Sequence, residues 1–169
     1  MSFFESDREV VITQPIPKNV APSAVLAALH DHDRMLKLSP LVYKSESIPT
    51  SEPEVSSIAA TKTATNDGPE MTLWYKVWEK VPWIGSISFT ASFLNTEHGV
   101  KSTVQAPLGF RMSVVWMVID DGPAGKSKIL KEVCHLYANL LLMPFIASTF
   151  ETTHRTMQDE LFRQLSSGE

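Results

Sequence analysis

Between residues 86 and 94 apolar and polar side chains alternate strictly: Ile87, Phe89, Ala91 and Phe93 fall on one side, Ser86, Ser88, Thr90 and Ser92 on the other. A period of two is a strand with one face toward a core. Strands of similar texture are predicted at 8–16, 41–48, 55–65, 72–81, 100–106, 110–119 and 128–137, most of them closed by turn residues such as Glu97-His98-Gly99 and Asp120-Asp121-Gly122-Pro123. Between the first two lie helical signals. Pro22 opens an Ala/Leu-rich stretch to His30, and Asp33–Leu38 forms a second short helix stopped by Ser39-Pro40. The period changes to 3.6 over Leu140–Gln164, where Met143, Ile146, Ala147, Phe150, His154, Met157, Leu161 and Leu165 share one face. Glu151, Arg155, Gln158 and Asp159 flank or oppose that stripe, and Asn139 is the expected N-cap.

Consecutive strands joined by short turns imply an antiparallel sheet, and the long helix must lay its apolar face on it. A sheet of so many strands twists and curls. The expected architecture is therefore α+β: a curved antiparallel sheet wrapped around a long C-terminal helix, with two short helices near the N-terminus. Curvature leaves room for a pocket between sheet and helix.

Length and composition narrow the choice further. At 169 residues the chain suits a single domain spanning 1–169, with an ordered core over about 8–165. It is 43% hydrophobic and 20% charged, which excludes wholesale disorder. A net charge of −4 argues against a nucleic-acid partner. The lone Cys134 excludes an internal disulfide and fits a reducing compartment. With neither a secretory leader nor an apolar run of membrane-spanning length, the chain reads as cytoplasmic and not membrane-inserted.

The order of elements is similar to that of the helix-grip superfamily, which includes START lipid-transfer domains, birch-pollen-allergen-like (Bet v 1-like) proteins and polyketide cyclases. Residues 16–32 resemble its opening strand-to-helix passage. Ala28-Leu29-His30-Asp31-His32, the turn Pro82-Trp83-Ile84-Gly85, and Phe150-Glu151-Thr152-Thr153-His154 resemble a group of fungal helix-grip proteins of largely unassigned function. The resemblance, running from about Val10 to Leu165, implies an elongated apolar cavity and a small-molecule ligand. The chain lacks the Cys/His pair of Rieske oxygenases and the length of a START domain, which sets those branches aside.

His154 is the most informative residue, because it stands about 20° from Met143 and 40° from Phe150 on the helical wheel. An imidazole on that face can move protons near neutral pH, or it can be a core histidine bonded to a strand carbonyl. On the last strand Leu130, Glu132, Cys134 and Leu136 share a face. Turned inward, Glu132 would pair with His154; the simpler alternatives leave it at the rim or flipped by a bulge. Cys134 reads as a small core residue. Trp74 and Trp78 share one face of their strand and Tyr75, Val77 and Glu79 the other, and the pattern does not decide which is inside. Arg111, opposite Met112 and Trp116, either anchors an anionic group at the cavity mouth or is solvated. His30-Asp31-His32-Asp33 is better explained by helix capping than by a metal, and no metal site is expected.

Two function classes follow from the pocket. One is a cofactor-independent cyclase, isomerase or dehydratase of polyketide- or terpenoid-like secondary metabolites. Its catalytic groups would be His154, Glu132 and Tyr75, with Phe89, Phe93, Phe150, Met157, Trp74, Trp78, Trp116 and Arg111 contacting the ligand. The other is a non-catalytic carrier or sensor of a lipid or secondary metabolite. A third reading makes the aromatic cluster an exposed surface that joins a homodimer or another partner.

Overall fold

The computed structural model describes residues 5–49, 72–122 and 127–168. Seven strands form one antiparallel sheet: β1 (Glu5–Pro15), β2 (Val42–Ile48), β3 (Leu73–Val81), β4 (Gly85–Thr96), β5 (Gly99–Gln105), β6 (Arg111–Asp120) and β7 (Lys128–Asn139). Their spatial order is β1-β7-β6-β5-β4-β3-β2. Sequential neighbours thus pair antiparallel from β2 to β7, and β1 closes the far edge against β7. The strand expected at 55–65 lies outside the described residues. Helices α1 (Pro22–His30) and α2 (His32–Leu38) bridge the two edge strands, and α3 (Met143–Ser167) lies across the concave face of the curved sheet.

Local chemistry accounts for the boundaries. Pro22 begins α1, and the Asp31 carboxylate accepts from the Arg34 backbone N–H at 3.0 Å, capping α2. The start of α3 differs from expectation. Asn139 does not cap it; its side chain accepts from the Leu141 N–H at 2.9 Å, within the turn that precedes the helix. The helix begins at Met143, with Pro144 in the first turn, where a missing N–H costs nothing. Gly99 is required by close approach: a Cβ there would lie 1.8 Å from the Trp116 carbonyl oxygen on β6.

Ile12, Leu29, Leu130, Leu136 and Leu161 are fully buried between sheet and helices. Each such side chain contributes about 1.5–3 kcal/mol by leaving water. Helices α1 and α2 plug one end of the sheet. There the His30 ring nitrogen Nε2 meets the carbonyls of Thr96 and Gly99 at 3.1 and 2.9 Å, and His32 Nε2 meets Asn95 Oδ1 at 2.8 Å. The two imidazoles therefore tie the helices to the β4–β5 hairpin. At the opposite end the β3–β4, β5–β6 and β7–α3 connections stand open.

Candidate functional site

Between the concave face and α3 lies a cavity of about 180 Å³. It opens among Ile84, Leu108 and Leu142, one from each of the three open connections. Deeper in, a second chamber of about 80 Å³ is walled by Phe93, Val114, Trp116 and Met157. Glu79, Phe89, Val104, Met112 and His154 line both chambers and mark where they meet. The walls are almost wholly apolar, so the few polar groups stand out.

His154 enters this space from the buried stripe of α3. Its side chain is 15% exposed and stacks on Phe150, with ring centroids 3.8 Å apart; Trp116 flanks it at 5.8 Å. Its Nδ1 is hydrogen-bonded to Glu132 Oε1. The β6–β7 register is unbroken, so Glu132 keeps the inward face of Leu130, Cys134 and Leu136 and is itself fully buried. The rim and bulge alternatives for Glu132 are thereby set aside. A carboxylate in such a place requires partners. Its second oxygen, Oε2, accepts from Gln158 Nε2 at 3.1 Å. Gln158 is a correction to the helical reading. It is completely buried rather than solvated, because it lies one turn beyond His154 and packs over β7.

This arrangement sets the tautomer. With Glu132 accepting at Nδ1, the imidazole carries its proton there and leaves Nε2 as the lone-pair nitrogen. Glu132 thereby fixes the orientation of the ring.

A further titratable group was visible in sequence only as a neighbour. On β3 the inward face is Tyr75, Val77 and Glu79, and Glu79 lines both chambers. Burial among apolar walls pushes its carboxyl up to about 7, with the nearby His154 pulling the other way. The signal that could have found it was its place two residues beyond Val77 on the same face.

The remaining candidate residues divide. Phe89, Phe93, Phe150, Met157 and Trp116 wall the chambers with His154. Tyr75, Trp74, Trp78 and Arg111 are not brought to either chamber. Tyr75 faces inward but packs against the rings of His32 and Phe93; burial first, then the Asp33 and Asp31 carboxylates, raise its hydroxyl above the usual range. Trp74 and Trp78 occupy the outer face, Trp74 against Ile48 and Trp78 beneath the Lys44 ammonium at 4.4 Å. Arg111 is half-exposed, paired with Glu5 and laid over the Tyr137 ring. Cys134 is buried, and its thiol is pushed up by that burial and by Glu132.

A curved antiparallel sheet gripping one long helix around an internal cavity is the helix-grip fold. Solved structures agree. Norcoclaurine synthase from Thalictrum flavum superposes with a TM-score of 0.61 at 11% identity, covering 98% of this chain and 96% of that one. The Zhui aromatase/cyclase from Streptomyces sp. R1128 gives 0.61 at 11% identity, over 95% and 96%. Ara h 8.0201 gives 0.54 at 12% identity, over 94% and 99%. At these identities the likeness establishes the fold alone. In sequence the chain belongs to the family described as "Domain of unknown function (DUF7053)", whose model matches residues 5–167. No curated protein matches it in sequence. Among the described residues no helix is long and apolar enough to cross a membrane.

Proposed function

We propose that this protein binds an apolar small molecule in the cavity between its sheet and α3, and that it acts there as a cofactor-independent acid/base catalyst of the cyclase, isomerase or dehydratase type. The observation that carries the reading is the His154–Glu132 pair. A fully buried carboxylate holds an imidazole whose other nitrogen is left for the cavity. A pair of this kind is costly to bury, and a purely apolar wall would pack at least as well. The apolar walls would fold a flexible substrate into one conformer while His154 Nε2 takes or returns a proton. Two of the structural neighbours, a norcoclaurine synthase and an aromatase/cyclase, are consistent with such chemistry on this fold.

The segments 28–32, 82–85 and 150–154 support a kinship with fungal helix-grip proteins, and hence a polyketide- or terpenoid-like substrate. Net charge and the single thiol support a cytoplasmic protein with no nucleic-acid partner. A second reading, the non-catalytic carrier or sensor, is favoured by how few polar groups face the cavity. Native mass spectrometry of the full chain purified from its own source separates the two. The expected result is a retained apolar molecule that wild-type protein converts and His154→Ala does not. Retention without conversion by wild type would establish the carrier, and a protein that never retains a ligand would remove both readings.

A further inference from the structure

We propose that Glu79 is the acid partner of His154, and that the two act from the junction of the chambers on a substrate whose apolar skeleton bears an enolisable carbonyl. The inference rests on the reading of His154 as a base and adds to it a second catalytic residue and a substrate class.

The two inward carboxyls of the sheet are differently employed. Glu132 has both oxygens engaged, one by His154 and one by Gln158. Glu79 forms no hydrogen bond or ion pair with any described residue, yet it lines the same two chambers as His154. Neither chamber is lined by a lysine or arginine among the described residues. An unpartnered carboxyl among apolar walls holds its proton, and its value of about 7 leaves much of it protonated at neutral pH. His154, with Nδ1 committed to Glu132, offers a lone pair at Nε2. One group is therefore ready to donate and the other to accept, on a single space.

The ligand that uses both is a neutral hydrogen-bond acceptor beside an acidic C–H. A ketone meets that description without bringing a charge into the apolar walls. The step balances without any co-reactant. The C–H bond next to the carbonyl breaks and its proton goes to His154 Nε2. The electron pair forms a C=C bond, and the C=O pair moves to oxygen, which takes the proton of Glu79. The enol, a Glu79 carboxylate and a His154 imidazolium result. In the return step the imidazolium gives a proton to the same carbon, or to a conjugated one, the C=O bond re-forms, and the enol O–H proton goes back to the Glu79 carboxylate, which restores both residues. Protonation at the same carbon exchanges hydrogen once the imidazolium proton has swapped with solvent, and protonation at a conjugated carbon shifts the double bond.

The probe is 2-tetralone, a compact, mainly apolar ketone, incubated with the full chain in D2O; α-deuterium is followed by NMR and affinity by calorimetry. Wild type should accelerate exchange, and His154→Ala should return it to the buffer rate. Glu79→Gln keeps shape and removes the transferable proton. It should slow exchange about 100-fold while the affinity moves by less than about threefold. Wild-type exchange in Glu79→Gln, with His154→Ala inactive, would overturn the role of Glu79 alone. Wild-type exchange in His154→Ala would overturn the base and with it the pairing. Binding without exchange by the wild type would overturn both and leave the carrier.

Discussion

Behind the junction of the chambers Glu132 is fully buried under His154 and Gln158, while at the mouth Trp83, Leu141 and Leu108 stand 98%, 84% and 82% exposed. The junction holds ionisable groups where water hardly reaches; the mouth holds greasy groups where water is everywhere. Both run against the usual sorting of side chains. The mouth has a backbone cost as well. Trp83 and Leu108 have φ of +67° and +63°, left-handed values that cost a non-glycine residue about 1–2 kcal/mol. The comparison teaches that this fold carries local penalties at two places along one cavity, and that the rest of the molecule, with its ordinary core, offsets them.

The largest effect is expected at the buried pair. His154→Leu leaves Glu132 without its cationic or hydrogen-bonding ring and should destabilise the fold by about 3–5 kcal/mol in urea denaturation. Replacing His154, Glu132 and the buried Gln158 that donates to Glu132 all by leucine should recover most of that loss. If the single substitution is as stable as wild type, Glu132 does not depend on His154 for its burial.

Glu79 gives an effect that depends on pH. Its folded value of about 7 lies above the ordinary carboxylate value of 4.5. Below 4.5 folded and unfolded chains both hold the proton, and the group costs nothing extra. From 4.5 to 7 the unfolded chain releases it while the fold retains it, so stability falls as pH rises; above 7 the loss is complete. Its full size is at most about 3 kcal/mol, and less where cavity water reaches the carboxyl. Glu79→Gln should therefore match wild type near pH 4 and exceed it at pH 8 in paired denaturation curves. A constant difference across that range would show that the carboxyl is well solvated.

At the mouth the expectation is smallest. Trp83→Gly removes a side chain that contacts mainly water and relieves a left-handed backbone, so stability should change by less than about 1 kcal/mol. A large loss in thermal denaturation would mean that Trp83 is structural and that the two regions are not separable.

Much of the architecture was readable from spacing. The alternation at Ile87–Phe93, the proline at Pro22 and the stripe of α3 each report a local preference that the fold keeps. His154 and Glu132 could be nominated because each interrupts an apolar face. Gln158 could not, since a glutamine at the flank of a helical stripe is normally solvated. Tyr75 and Trp78 show the reverse: aromatic residues suggest a ligand wall, but one packs on His32 and the other lies outside under Lys44.

Periodicity and turn chemistry act over a few residues, so the sequence alone determined which residues share a face and where elements end. It could not say which face of β3 is inside, that Gln158 reaches Glu132, or that Glu79 and His154 meet one cavity. Those outcomes depend on strand register and on where α3 crosses the sheet. Both are settled by the sum of many distant contacts, Glu132 and Gln158 being 26 residues apart and Glu79 farther still from His154.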